Sequence, residues 1–116
     1  MSYFDEMKKA MTWLGEKPDT FFMGQAVGDP GTAMYNTLVD VPEDKKLELP
    51  VFEETQMGMS TGMSLNGVVP ISIFPRYNFL LCAMNQLINH LDKMSHLWED
   101  GERKGVIVRT GVGSQV

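Results

Sequence analysis

Leu49-Pro50-Val51-Phe52-Glu53-Glu54, with the glycine-spaced segment Met57 to Pro70 behind it, decides how this chain is read. Glu53 opens a helix predicted to run to Leu65, rich in small residues: Gly58, Ser60, Thr61, Gly62 and Ser64. Gly58 and Gly62 lie one turn apart and share a helix face. A glycine inside a helix costs up to about 1 kcal/mol against alanine, so two on one face imply that another backbone or a ligand packs closely there. Asn66-Gly67 ends the helix. Val68 to Phe74 follows with little polarity, as a strand does inside a parallel sheet covered on both faces. An aromatic cluster comes next: Phe74, Tyr77 and Phe79.

Upstream, Ser2 caps a predicted helix over residues 3 to 15, with Asp5 and Glu6 in the first turn, where the helix dipole favours acid. Phe4, Met7, Met11 and Leu14 supply its apolar face, and Gly15 and Pro18 end it. Thr20-Phe21-Phe22-Met23 is a short apolar run suited to a buried strand. Gly24 to Gly31 reads as a loop, Thr32 to Leu38 as one or two helical turns, and Val41 to Lys46 as exposed and polar. Leu47 to Phe52 is a second short strand or an extended lead-in to Glu53. Downstream, Asn78 opens the strongest helix, with a stripe of Leu80, Met84, Leu87, Leu91 and Met94 widened by Ala83 and Ile88. Trp98 to Lys104 is a charged loop, Val106-Ile107-Val108 another strand, and Gly111 and Gly113 close the pattern. Apolar strands alternating with helices imply crossover connections and a parallel sheet. The expected fold is an α/β three-layer sandwich with a mainly parallel sheet, partial or truncated because only three or four strands are present, forming a single unit over residues 1–116.

The totals narrow the function classes. A chain of 116 residues with 43% hydrophobic and 22% charged residues suits one small core. No apolar run approaches the ~20 residues of a membrane-spanning helix, and the first residues lack the pattern of a secretory signal. Cys82 is the only cysteine, so no internal disulfide forms and a reducing cytoplasm is the default expectation. A net charge of −5 with scattered basic residues argues against nucleic acid. The 10 methionines read as filler for core and interface gaps.

From Pro50-Val51-Phe52-Glu53 onward through Gly58, Gly62, Gly67, Pro70, Phe74, Tyr77-Asn78-Phe79, Ala83, Gln86 and Asn89, the chain resembles the pyrimidine-binding domain of thiamine diphosphate enzymes. It is most similar to the beta subunit of the 2-oxo acid dehydrogenase decarboxylating component, of pyruvate and branched-chain type. Gly24 and Val27, and Val108-Arg109-Thr110-Gly111, extend the resemblance to nearly the whole chain, which would be the first part of such a subunit. Each spacing alone is weak; the ordered set is specific.

The resemblance implies an enzyme in which Glu53 hydrogen-bonds a ring nitrogen of the aminopyrimidine and so activates the cofactor for attack on a 2-oxo acid. Phe79 would stack on that ring, and Val51 would line the same pocket. The family's Gly-Asp-Gly and Asn-Asn motif for diphosphate and magnesium is absent from this sequence. The resemblance therefore implies an alpha-type partner subunit that supplies that site, in an oligomer packed through Gly58 and Gly62. Gln25 replaces a glutamate attributed to a proton path between active sites, and Asn85 stands where aspartate is common. An amide keeps hydrogen bonds there but carries no proton. Read without the family, Glu53 is a first-turn helix acid and Phe79 a core ring. Glu54 reads as a solvated neighbour, Tyr77 as a packed ring, Arg76 as a surface cation and Cys82 as a small core residue. His90 and His96 lack metal-ligand spacing and read as exposed. Two other functions fit the same residues: a non-catalytic docking module, motivated by Gln25 and the chain length, and a fragment of a transketolase-type carbon-unit transferase.

Overall fold

The computed structural model describes residues 1–97 and 104–113, without the side chains of Ser95 and His96. The predicted loop from Trp98 and the side chain of His96 thus fall outside the described residues. The helices are α1 (Tyr3–Gly15), α2 (Ala33–Asn36), α3 (Glu53–Leu65), α4 (Tyr77–Leu80) and α5 (Lys93–Leu97). The strands are β1 (Thr20–Gly24), β2 (Lys46–Glu48), β3 (Val69–Phe74) and β4 (Ile107–Thr110). They form one sheet in the order β2-β1-β3-β4, with every pairing parallel. Among the described residues, no helix is long and apolar enough to cross a membrane.

The strand order dictates the layers. From β1 the chain steps outward to β2, then crosses back over β1 to β3 and on to β4. Right-handed crossovers put connections running in opposite directions on opposite faces. One face carries Met11, Leu14 and Met34 of α1 and α2, packed with Phe22, Val27, Leu38, Val41, Ile71, Ile73 and Ile107. The other carries Met57 of α3 and Leu80, Ala83, Met84, Leu87 and Leu91, packed with Phe74 and Val108. Ile73 and Phe74 face opposite layers, as do Ile107 and Val108, which is the alternation a strand imposes. The expected α/β three-layer sandwich with a parallel sheet is the observed architecture.

Local signals account for most element ends. Ser2 caps α1 by accepting from the Asp5 N–H, while Asp5 accepts from the Ser2 N–H and hydroxyl at 3.0 and 2.8 Å, a capping box. Asn66 and Gly67 (φ +85°) close α3. Thr32 caps the single turn of α2.

Four expectations are corrected. Val41 to Lys46 is exposed only in its middle, at Pro42, Glu43 and Asp44. Val41 is in the core, and the Lys46 side chain is only 2% exposed, paired with Glu43 at 2.9 Å. The Lys45 ammonium donates to the carbonyls of Gly15 and Lys17 and to Thr20 Oγ1, a cationic cap on the α1 C-terminus.

The strong helix predicted from Asn78 begins at Tyr77 and is not regular. After α4 come a 3-10 turn (Leu81–Ala83), a π stretch (Asn85–Asp92) and α5. The wider π turns change the angular step, so Leu87 and Leu91 still face the core while Ile88 is turned out. Cys82 sits between inward Leu80 and Ala83 and is exposed, not in the core. Tyr77, expected to pack, is half exposed where α4 turns away from the sheet.

Candidate functional site

Parallel strands put all their C-terminal ends, and the loops that leave them, along one edge of the sheet. Here these are the loop after Gly24, the 49–52 segment, Pro75-Arg76 and Gly111 to Gly113. The strand order reverses direction between β1 and β3, and crevices at such switch points are where open α/β sheets take ligands. The backbones meet closely there. Gly24 has φ +139°, and a Cβ on it would lie 2.1 Å from the Ile73 carbonyl oxygen. That same carbonyl accepts from the Gln25 N–H at 3.4 Å and from buried Gln56 Nε2 at 3.0 Å. Gln56 Nε2 also donates to Ser72 Oγ at 3.0 Å.

The loop after β1 is shaped around one carboxylate. Glu48 Oε1 accepts from the N–H groups of Val27 and Gly28, both at 2.9 Å, and of Asp29 at 3.4 Å; Oε2 accepts from Ala26 at 3.2 Å. Ala26 takes φ 61°, which turns successive N–H groups inward as an anion nest. Sequence reasoning missed Glu48. The β1–β2 register places it beside Gly24, and only that pairing reveals it.

Glu53 is the first residue of α3, and the N-cap Phe52 offers no side-chain cap. The helix buries Gln56, Met57, Ser60, Thr61 and Ser64. Glu53 is one turn before Met57 and so shares that sheet-facing stripe, half-buried at its outer end. Among the described residues, its carboxylate has no hydrogen bond or ion pair. Glu54 points the other way, and is more than a solvated neighbour. It accepts from Asn85 Nδ2 at 2.7 Å and Gln86 Nε2 at 3.4 Å. This bond ties the start of α3 to the segment that follows Phe79. Gly58, a turn beyond Glu54, leaves room for that segment: a Cβ there would lie 3.4 Å from Gln86 Oε1. Gly62, on the same face, would bring a Cβ within 4 Å of nothing among the described residues.

Phe79 lies in α4 and is half-buried. Val51 is 75% exposed in the bend before α3. Val51 follows the exit of β2 and Phe79 that of β3, so both belong to loops and turns of the strand-exit edge. His90 Nδ1 is 2.7 Å from Gln86 Oε1, on the surface. Beside α4, Pro75, Arg76, Tyr77, Asn78 and Gly111 to Gly113 line an open cleft of about 550 Å³. Tyr77 N–H donates to the Gly111 carbonyl at 2.9 Å and closes its floor.

No family model matches the chain. Three curated relatives do. The pyruvate dehydrogenase E1 component subunit beta of Cyanidium caldarium is 27% identical over 108 residues, 89% of this chain and 33% of its own length. The 2-oxoisovalerate dehydrogenase subunit beta of Bacillus subtilis (strain 168) is 26% identical over 120 aligned residues, 100% of this chain and 37% of its own length. The pyruvate dehydrogenase E1 component subunit beta of Gracilaria tenuistipitata var. liui is 27% identical over 120 aligned residues, 97% of this chain and 37% of its own. The chain thus spans about a third of the length of these relatives. The resemblance seen in the residues and the relatives found by comparison agree: along most of its length this chain is similar to part of the beta subunit of a 2-oxo acid dehydrogenase.

Proposed function

We propose that this chain is the aminopyrimidine-receiving part of a thiamine diphosphate-dependent 2-oxo acid dehydrogenase, and that Glu53 is the residue through which it activates the cofactor. The observation that carries the reading is the position of Glu53. In a chain similar to beta subunits of such dehydrogenases, it opens α3 at the strand-exit edge with no internal partner among the described residues.

The residues fit one end of the cofactor. A carboxylate that must exchange a hydrogen bond with a ring nitrogen cannot be tied up in an ion pair, and Glu53 is in none among the described residues. Phe79 offers an aromatic face, and the apolar side chain of Val51 stands free at the rim. The described residues offer no cluster of three or more His, Cys, Asp or Glu to hold a metal ion. Following the resemblance, the magnesium and diphosphate end is assigned to an alpha-type subunit, with the aminopyrimidine bound between the two chains. Gly62, open to the surface, is assigned to helix packing in that oligomer.

Thiamine diphosphate supplies the nucleophilic carbon and the electron sink for decarboxylation of a 2-oxo acid. The chain's own part is smaller. Glu53 holds one proton at a carboxyl oxygen facing the ring nitrogen. Phe79 fixes the ring plane. Val51 keeps water from the ring once the partner closes the rim. Gln25, at the β1–β3 switch point, orients by hydrogen bonding and passes no proton onward.

The test mixes the chain with an alpha-type subunit and measures cofactor-dependent decarboxylation of pyruvate and of a branched 2-oxo acid. Turnover is expected, and Glu53→Gln should lower it by about 10²–10⁴-fold, the scale of a lost proton-transfer group, while assembly persists. Near-normal turnover of Glu53→Gln would refute the role of Glu53. Assembly without any turnover of the unaltered chain would favour a docking module.

A further inference from the structure

A second cleft lies on the opposite face of the sheet from α3. Its volume is about 420 Å³, within the range of small-molecule sites, and it opens between the first turns of α1, helix α2 and the end of β4. Phe4, Met7 and Met34 line it with apolar side chains, and Arg109 and Thr37 with polar ones. Arg109 is half-buried there. Its Nη1 donates to Thr37 Oγ1 at 2.8 Å, and Thr37 Oγ1 passes its own hydrogen to the Met34 carbonyl at 2.7 Å. Among the described residues no carboxylate pairs with Arg109, so most of its five N–H donors are unclaimed. Burial pulls the guanidinium below its ordinary range, against a smaller pull from the neighbouring Tyr3 hydroxyl.

A half-buried cation lining a largely apolar cleft, with no counter-ion among the described residues, is costly unless an anion joins it. We propose that this cleft binds a small monocarboxylate with an apolar tail, the carboxylate on Arg109 and the tail between Phe4, Met7 and Met34. The planar guanidinium fork matches a carboxylate bidentately, and a single cation suits a single negative charge. Thr110 also borders the cleft, and its buried hydroxyl has no hydrogen-bond partner among the described residues. Alternation along β4 sends that side chain to the α3 face with Val108, so it is not counted in the site. The site is separate from Glu53, which begins a helix on the other face, and it stands whether or not the cofactor reading does.

The experiment titrates the full chain with 3-methylbutanoate, and in parallel with 3-methylbutan-1-ol and inorganic phosphate. Binding is followed by the ¹³C-methyl resonances of Met7 and Met34. Saturable shifts of these two methyls are expected with the carboxylate and not with the alcohol. Arg109→Gln should weaken binding by at least about tenfold, the loss of a charge-assisted pair. Phe4→Glu provides a second variant should Arg109→Gln not fold. It adds an acid in the first turn of α1, where the dipole tolerates one, and its carboxylate should compete for Arg109 and abolish the shifts. No saturable shift with the carboxylate, equal binding by the alcohol, equal binding by phosphate, or binding unchanged in either folded variant would overturn the proposal.

Discussion

Replacing Glu48 with alanine should destabilise the chain more than its half-exposed position suggests. The side chain accepts four backbone N–H groups from residues 26–29. In Glu48→Ala, Gly28 and Asp29 are exposed and turn to water. Val27 is in the core and Ala26 half-buried, so their donors are left without partners. A buried donor left unsatisfied costs about 1–3 kcal/mol, and one of the two is only partly shielded, which gives about 2–4 kcal/mol. Ala26 then loses the anion that favours its φ of 61°. Glu48→Gln separates geometry from charge. Its carbonyl still serves Val27 and Gly28, while its NH₂ opposes the Ala26 N–H, for about 1 kcal/mol. Urea unfolding at neutral pH measures both, and added sulfate should restore part of the loss in Glu48→Ala by entering the nest. A change in Glu48→Ala below about 0.5 kcal/mol, the noise of ordinary surface substitutions, would refute the nest argument.

Other substitutions probe the rest of the frame. Gly24→Ala places a Cβ within 2.1 Å of the Ile73 carbonyl at φ +139°, and should cost at least about 3 kcal/mol or prevent folding, read by circular dichroism and urea melts. Gln56→Leu strips the buried amide from Ser72 Oγ and the Ile73 carbonyl and should cost about 2–3 kcal/mol in the same assay. Lys45→Met leaves the Gly15 and Lys17 carbonyls uncapped and should cost about 1–2 kcal/mol, with the loss centred on α1 in hydrogen exchange. Asp5→Asn tests the pH dependence. Hydrogen bonds from the Ser2 backbone and hydroxyl hold the Asp5 carboxyl below its ordinary 3.8. The unfolded chain therefore takes up this proton first on acidification, so the contribution is full above 3.8 and fades as pH falls through the lower folded value. The Tm gap between native chain and Asp5→Asn should close at that acid end and stay constant toward neutrality.

Where local chemistry marks an element, the sequence was enough. The Ser2–Asp5 box, the Asn66-Gly67 stop and the apolar runs at Thr20 and Val69 located α1, α3, β1 and β3. Alternation of strand and helix gave the parallel sheet. What depended on tertiary register was not legible. Glu48 acts on residues 26–29 only because β2 pairs with β1, and Lys45 reaches the end of α1 only after Val41 packs into the core. The π stretch was hidden for another reason. Apolar residues at 80, 84, 87 and 91 suit an ordinary helical stripe equally well, so pattern alone cannot tell which turn is widened. Glu53, Phe79 and Val51 were singled out only through the ordered resemblance and not through their own residue types. By themselves, Glu53 is a first-turn acid and Phe79 a core ring.

The structure supplies a reason why an acid at position 53 is held differently from its neighbour. α3 is fixed in rotation by two contacts on opposite sides. Gln56 anchors one side to Ser72 and Ile73 of β3, and Met57 and Ser60 pack beneath it. Glu54 anchors the other to Asn85 and Gln86, with Gly58 allowing the close approach. A helix pinned on both sides cannot roll, so Glu53 is kept at the outer end of the sheet-facing stripe while Glu54 satisfies its charge elsewhere. The two adjacent acids are thereby divided: one braces the helix, and the other has no partner among the described residues. A substitution at Gln56 or Gly58 should therefore disturb the chemistry assigned to Glu53 without touching it, whereas Glu54→Gln, which keeps an acceptor for Asn85, should leave that chemistry nearly intact.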